Sequence, residues 1–225
     1  MEQEQAVAFV VFDLETTGLG RDAKIVELCF FAFDSNGNQV KKLLRKVNPG
    51  MKIPAQASAV HGIYNSDVED CPMFEDIVQE VIDAINWTKA EEGEGATYNI
   101  WDAKPEKLPL VGHNIVSYDL PILRAHFDAA GKVMPSVNAV DTLKLARARW
   151  PKHPDGNKLV TCCARMGIEE MNDVHSAEPD VLVNGKLYHR MMSGEEYEPT
   201  ATSVKAKADA AEVLDILADF DFSSF

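Results

Sequence analysis

Apolar residues dominate the start of the chain in short blocks that turn-forming residues separate. The first block, 6–14, and the second, 24–33, are rich in Val, Ile and Phe, and a third block follows at 39–47. Such runs are typical of β-strands, and the pair Asn36 and Gly37 between the last two blocks favours a tight hairpin. The blocks therefore predict three consecutive strands joined by short turns, which is an antiparallel meander.

After position 50 the pattern changes to helical spacing that alternates with short strands. Apolar residues recur every three or four positions from Phe74 to Ile85, which predicts a helix with one buried face. Short strands are predicted at 108–111 and 137–140. Further helices are predicted at about 119–130, 141–150 and 158–166. Strands that come first in a meander and then alternate with helices indicate an α/β domain with a mixed sheet.

The chain length of 225 residues suits one domain that spans 1–225. Two segments of this domain are expected to be insertions. The first, at about 88–107, is irregular and acidic. The second, at about 181–204, contains Asn184 and Gly185, a pair that favours a strand and a turn over a helix.

The chain is acidic, because 36 Asp and Glu against 22 Lys and Arg give a net charge of −14. This charge argues against a broad basic surface for nucleic acid, but it is compatible with a local site where bound cations offset phosphate charge. The amino terminus lacks the basic start of a secretory signal, and no apolar run reaches the length of about 18 residues that a membrane span needs. The four cysteines form no CxxC pair. We therefore expect a cytoplasmic protein with reduced cysteines and no membrane partner.

Two acids end the first predicted strand. Asp13 and Glu15 are two positions apart, so their side chains point to the same face of a strand. Clustered carboxylates repel one another unless a cation lies between them, and oxygen ligands favour Mg²⁺ or Mn²⁺. The alternative is that the two acids only cap the turn before Gly18. Asp119 is likewise either a functional carboxylate or only the cap of the helix that begins there.

Together these segments resemble a known family. The motifs FDLETTGL (12–19), GHN (112–114) and YD (118–119) are similar to those of the DEDDh 3′-5′ exonucleases, which are the DnaQ-like proofreading exonucleases of the ribonuclease H-like superfamily. The segments 53–63 and 140–143 resemble further parts of that family. The resemblance implies a ribonuclease H-like fold, in which a mixed sheet is flanked by helices.

The resemblance also implies a reaction, the removal of nucleotides from a 3′ end by two-metal hydrolysis. Two ions, Mg²⁺ or Mn²⁺, would be held by Asp13, Glu15, Asp119 and a fourth carboxylate. The family's last motif is a His followed by four residues and an Asp, and by its place in this motif His175 is expected to be the general base. An ordinary histidine pKa of about 6.5 leaves such a side chain largely neutral near pH 7 and able to accept a proton.

The fourth carboxylate has two candidates. Asp180 follows His175 with the family's spacing of His, four residues and Asp, as in the three-prime repair exonucleases, but a strand and a turn are expected directly after it. Removal of 178–206 would instead join His175 to Asp209, which lies on a predicted helix at 205–217. We favour Asp209, because a metal ligand must be held by a rigid element. Asp180 is the alternative.

The resemblance further implies a set of contacts to the terminal nucleotide. These residues are Thr16, Thr17, Gly18, Leu19, His61 and Asn114. The expected substrate is a DNA 3′ end, single-stranded or frayed, in replication proofreading or repair, with a replication or polymerase protein as a partner. One alternative is a 3′-5′ exoribonuclease or oligonucleotide nuclease, since the motifs do not read the 2′-hydroxyl. Another is an exonuclease-like docking subunit of a replication complex.

Two further segments have alternative interpretations. The basic residues at 41–46 suit either contacts with a phosphate backbone or an edge strand that lysines protect from pairing. The expected insertion at 181–204 suits either a flap over the substrate or a contact with a partner protein, and an exposed loop without such a role is the simpler alternative.

Overall fold

The computed structural model of the protein describes residues 6–20, 22–88, 107–168 and 177–194. The strands are β1 (Phe9–Thr16), β2 (Ile25–Phe33), β3 (Gln39–Lys46), β4 (Pro109–Gly112) and β5 (Asn138–Asp141). The helices are α1 (Ala55–His61), α2 (Asn65–Val68), α3 (Phe74–Asn86), α4 (Asp119–Ala129), α5 (Thr142–Arg149), α6 (Leu159–Arg165) and α7 (Ala177–Ser193).

The strands form one mixed sheet in the order β3-β2-β1-β4-β5. β1, β2 and β3 pair antiparallel, whereas β4 lies parallel to β1 and β5 lies parallel to β4. Every residue of β2 is buried, because this strand lies inside the sheet and both of its faces are covered. The expected α/β fold, a meander followed by parallel strands with flanking helices, is confirmed.

Helices cover both faces of the sheet. Successive side chains of a strand point to opposite faces, so β1 and β2 contribute to two cores. On one face Phe12 and Phe30 belong to a core that includes side chains of α3 and α4. On the other face Phe31 and Phe33 pack with side chains of α7. Asp13 alternates with Phe12 along β1, and its side chain therefore points to the α7 face.

Helix α7 occupies the segment where the sequence predicted a strand and a turn, and that prediction is wrong. Asn184 and Gly185 are both buried residues of this helix, and each contacts a residue that is distant in the sequence. The Thr142 hydroxyl donates to Asn184 Oδ1 at 2.8 Å. A Cβ atom on Gly185 would lie 2.3 Å from Cζ of Phe33, so a glycine is needed where the helix meets β2. These tertiary contacts override the local turn propensity of an Asn-Gly pair.

The start of α7 is anchored by a buried acid of β2. The Glu27 side chain is 5% exposed, and its Oε1 accepts a hydrogen bond from the Ala177 backbone N–H at 3.2 Å. Burial raises the pKa of Glu27, while the hydrogen bond from Ala177 and the positive charge of Lys46 oppose this rise. Because Glu27 lies opposite Glu15 in the β1–β2 register, α7 is attached beside the end of β1.

Parts of the expected domain organisation lie outside the described residues. Most of the segment 88–107 is among them, as are residues 195–204, so the single domain with its insertions stays a prediction. Residues 181–193 belong to α7 and to the packed body, which corrects their expected place in an insertion. Among the helices that the structure describes, none is both long and apolar enough to cross a membrane. All four cysteines are free thiols.

Gly185→Ala is expected to lower the free energy of unfolding by about 1–3 kcal/mol, because the added methyl group overpacks against the buried Phe33 ring. Urea denaturation followed by circular dichroism measures this change. Lys186→Ala, at the exposed neighbouring position of α7, is the control and should change stability by less than about 0.5 kcal/mol. Equal stability of the two variants would contradict the close contact between α7 and β2.

Glu27→Gln is expected to flatten the pH dependence of stability. Because burial raises the folded-state pKa of Glu27, the stability due to the protonated carboxyl is fully present below the unfolded pKa, about 4.3, and is lost as the pH rises through the folded value. Glutamine keeps the acceptor and does not ionise. Urea denaturation in EDTA measures the free energy of unfolding at each pH. From about pH 4 to pH 7 this free energy should fall less for Glu27→Gln than for the wild type. Glu75→Gln, which removes an exposed charge on α3, should follow the wild type, and parallel curves for all three proteins would contradict the prediction.

Candidate active site

Three carboxylates meet where β1 ends. One carboxylate oxygen from each of Asp13, Glu15 and Asp180 lies within 4.8 Å of the others, and all three residues are half-buried. β1 presents Asp13 and Glu15 on the face that α7 covers, and Asp180 belongs to the first turn of α7. The docking of α7 on the sheet therefore brings an acid from late in the chain to two acids from its beginning.

A fourth carboxylate, Asp119, lies at the first residue of α4 and is 4% exposed. A backbone hydrogen bond from Leu14 connects Asp119 to β1, between the two acids of that strand. Burial raises the pKa of Asp119 to about 7, and backbone hydrogen bonds oppose the rise. The charge of Asp119 in turn acts on Asp13. Asp119 is thus electrostatically part of the cluster, although it reaches β1 from the opposite side to α7.

The electrostatics of this cluster indicate that it needs a cation. The pKa of Asp13 is raised well above its usual value, mainly by burial and further by the charges of Asp119, Glu15 and Asp180. Carboxylates this close resist simultaneous ionisation unless positive charge compensates them. Carboxylate oxygens are also the ligands that hard divalent cations prefer. The donor set therefore fits a divalent-metal site.

The geometry changes the balance between Asp180 and Asp209. The sequence argument favoured Asp209 because no helix was expected after Asp180, and that premise is wrong, since Asp180 lies on the 17-residue helix α7. Asp209 lies outside the described residues, as does His175. The general-base role of His175 and the identity of the fourth carboxylate therefore stay predictions.

The expected nucleotide-binding loop, 16–19, is held by a residue that the sequence argument did not assign to the site. The Tyr118 hydroxyl lies 2.6 Å from Thr16 Oγ1 and donates to the Gly18 carbonyl at 2.7 Å. Thr17 Oγ1 accepts a hydrogen bond from the backbone N–H of Lys24, directly before β2, at 3.0 Å. Thr16 and Thr17 are buried, whereas Leu19 is 90% exposed. The threonines therefore shape the loop from within, and Leu19 is the side chain that the loop offers to a ligand.

The position of Tyr118 directly before Asp119 was the signal that could have identified it. The same loop-anchoring function explains Asp141, a further residue that the sequence argument did not assign. Asp141 Oδ1 accepts hydrogen bonds from the backbone N–H groups of Asn114 and Leu143, each at 3.0 Å. An acid at the end of a strand and directly before a helix is the sequence pattern that indicates such a cap.

Asn114, an expected nucleotide contact, lies in the loop after β4 with a φ angle of 67°. This left-handed conformation is uncommon for residues other than glycine, although asparagine adopts it more readily than most. The hydrogen bond from its backbone to Asp141 holds Asn114 in this conformation. Residues in such conformations concentrate at functional sites, which supports the expected role of Asn114.

His61 lies deeper than the other expected contacts. Its side chain is 3% exposed, and Nδ1 accepts a hydrogen bond from the Ile63 backbone N–H at 3.0 Å. Burial lowers the pKa of His61, while the backbone of Thr16 acts to raise it. This placement favours support of the Thr16 loop from behind, and direct contact of His61 with a nucleotide stays a prediction.

Comparison with known proteins shows which families and proteins this chain is similar to. The model of the RNase_T exonuclease family matches residues 10–98. DNA polymerase III subunit epsilon from Buchnera aphidicola subsp. Schizaphis graminum is 29% identical over 198 residues, which cover 83% of this chain and 75% of that protein. The 3′-5′ exonuclease DinG from Bacillus subtilis is 28% identical over 182 residues, which cover 80% of this chain and 17% of that protein.

Among solved structures, the zinc-bound complex of E. coli exonuclease I with single-stranded DNA shares the fold, with a TM-score of 0.67 at 16% identity. The match covers 85% of this chain and 41% of the exonuclease I chain, so this chain spans well under half the length of that protein. The mixed five-stranded sheet, the family model and these relatives agree with the motifs of the sequence. The chain is therefore similar to the exonucleases of this family model, to a polymerase III epsilon subunit and to the DinG exonuclease, and this similarity agrees with the DEDDh motifs that contain Asp13, Glu15 and Asp119.

Proposed function

We propose that this protein removes nucleotides from the 3′ end of DNA, at single-stranded or frayed ends, during replication proofreading or repair. The observation that carries the proposal is the meeting of Asp13, Glu15 and Asp180 at the end of β1, with Asp119 beside them. Similarity to a polymerase III epsilon subunit and to the DinG exonuclease supports DNA as the substrate. Similarity to the epsilon subunit also favours a polymerase or another replication protein as a partner.

The four carboxylates Asp13, Glu15, Asp119 and Asp180 are proposed to hold two Mg²⁺ or Mn²⁺ ions. When bound, such ions supply a reactive water at neutral pH and stabilise the charge on the leaving 3′ oxygen. Asp180 is proposed as the fourth ligand because it lies in a fixed part of α7. The hydrogen bond from Ala177 to Glu27 holds this helix before Asp180, and the hydrogen bond from Thr142 to Asn184 holds it one turn after Asp180. His175, five positions before Asp180, is proposed to accept the proton of the attacking water.

The loop 16–19 is proposed to bind the terminal nucleotide. A Cβ atom on Gly18 would meet no other atom within 4 Å, so the space beside its backbone is open to a sugar or a phosphate. Leu19, which is almost fully exposed, is positioned to pack against a base. Asn114 is proposed to contact the same nucleotide from the loop after β4, while Tyr118 keeps the loop 16–19 in place.

The activity is tested with matched 5′-labelled single strands of DNA and RNA in Mg²⁺ or Mn²⁺. The wild type is expected to produce a ladder that shortens from the 3′ end, faster on DNA. The ladder should disappear in EDTA, which removes the divalent cations. It should also disappear in Asp13→Ala, which removes one of the carboxylates proposed to hold them. Faster cleavage of RNA would reassign the substrate to the exoribonuclease alternative. Absence of cleavage with either strand would contradict the nuclease and favour the docking-subunit alternative.

The fourth ligand is tested by paired substitutions. Asp180→Asn is expected to lower kcat by about 100-fold or more, since loss of a metal ligand removes several kcal/mol of transition-state stabilisation. Asp209→Asn, the matched change at the other candidate, should keep activity close to that of the wild type. Gel assays of 3′ shortening under saturating Mg²⁺ provide the measurement. The reverse order of the two variants would show that Asp209 is the ligand.

A further inference from the structure

A basic surface interrupts the negative charge of this chain. Residues 142–168, which contain α5, α6 and the loop between them, hold six of the 22 Lys and Arg but one of the 36 Asp and Glu. The six are Lys144, Arg147, Arg149, Lys152, Lys158 and Arg165, and all except the half-buried Arg165 are exposed. This set is termed the α5–α6 basic surface below.

The α5–α6 basic surface adjoins the carboxylate cluster. His113, which directly follows β4, donates through Nε2 to the Asn157 carbonyl in the loop between α5 and α6, at 3.0 Å. The positive charge of Arg147 and the negative charge of Asp180 both act on His113, in opposite directions on its pKa. Thr142, the first residue of α5, also donates to Asn184, which lies one turn after Asp180 on α7. The first turn of α5 therefore lies beside the part of α7 that carries Asp180.

The loop between α5 and α6 is a defined structure. The Arg165 guanidinium donates to Asn157 Oδ1 at 2.8 Å and lies 2.8 Å from His153 Nδ1. It also lies over the Trp150 ring, 5.2 Å from the centroid, and Arg149 lies 5.7 Å from the same centroid. These partners of Arg165 carry no negative charge, so the contacts fix the loop without cancelling its positive charge.

The basic run on β3 is arranged differently. Lys42 pairs with Glu178, and Arg45 pairs with Glu80, so carboxylates offset these two cations. β3 is also one of the two edge strands of the sheet. This arrangement favours the interpretation in which cations protect an exposed strand edge, and it leaves the α5–α6 basic surface as the stronger attraction for phosphate.

We propose that the α5–α6 basic surface binds the phosphate backbone of the strand whose 3′ end enters the carboxylate site. This inference rests on the proposed function. A net charge of −14 repels a polyanion, so the electrostatic energy of an approaching strand is lowest where the local charge of the protein is positive. Lys144 and Arg147, three positions apart, present their charges on one exposed face of α5, the helix whose first residue contacts α7. They extend the site from the terminal nucleotide to the nucleotides that precede it.

The test measures binding of a fluorescein-labelled oligodeoxythymidine of about 15 nucleotides by fluorescence anisotropy over a series of NaCl concentrations. The full chain carries Asp13→Asn so that the strand stays intact. Adding Lys144→Gln and Arg147→Gln is expected to weaken binding several-fold at low salt. The slope of log K against log salt should become shallower by about 1.4, because each lost phosphate contact on a single strand removes about 0.7. Arg124→Gln with Lys132→Gln, which removes two exposed charges at α4 and just beyond it, is the control and should keep the slope.

Two results would overturn the inference: an unchanged slope in the Lys144 and Arg147 variant, or an equal change in the control pair. Failure of the proposed function gives a different pattern, in which the wild type leaves the same strand uncut in Mg²⁺ and Mn²⁺. In the wild-type background, the Lys144 and Arg147 variant should also lower kcat/KM on the long strand at least about tenfold more than on a dinucleotide. An equal loss on both substrates would place the effect at the terminal nucleotide and contradict a strand-binding surface.

Discussion

Repulsion among carboxylates at the end of β1 is the constraint on which the rest of the site depends. The pKa of Asp13 is raised by burial and by four neighbouring acids, so the cluster opposes its own assembly when it is ionised. The fold holds it together from two sides: α4 supplies Asp119 on one side of β1, and α7 supplies Asp180 on the other. Rigid packing of both helices keeps charges close that would separate in a flexible loop, and this proximity is what attracts a divalent cation.

Much of the sheet and half of the site could be predicted because their signals are local. The apolar blocks gave β1 and β2 within a few residues, and the acids at the end of β1 are separated by the two positions that place them on one face. Helix α7 could not be predicted in the same way. Asn184 and Gly185 have a local preference for a turn, and only the contacts with Thr142 and Phe33, distant in sequence, select the helix. The position of Tyr118 before Asp119 marks it as a candidate, but its contacts could not be predicted for the same reason, since its partners Thr16 and Gly18 lie about a hundred positions earlier in the chain.

The distribution of charge resolves an apparent conflict between an acidic chain and a nucleic acid substrate. Negative charge is concentrated where a cation is needed, and Lys42 and Arg45 of β3 are paired with acids. Arg165 instead contacts the neutral Asn157 and Trp150 in the loop between α5 and α6. An average over the whole sequence hides this separation, because a net charge describes long-range attraction and does not describe what a strand meets at the surface. The carboxylate cluster is therefore negative, as divalent cations require, and the α5–α6 basic surface is positive, as the phosphates of a strand require.

The contact between Glu27 and Ala177 has a consequence for when the site comes into existence. Glu27 and Glu15 face one another across β1 and β2, and a slip of one residue in that pairing would turn the side chains of the strand that slips to the opposite face of the sheet. A slip of β2 would remove the anchor of α7, and a slip of β1 would remove Glu15 from the cluster. Moreover, the amino-terminal acids leave the ribosome long before the segment that carries Asp180. A nascent or misregistered chain therefore lacks the complete cluster, and the capacity to cut nucleic acid is confined to molecules that have finished folding.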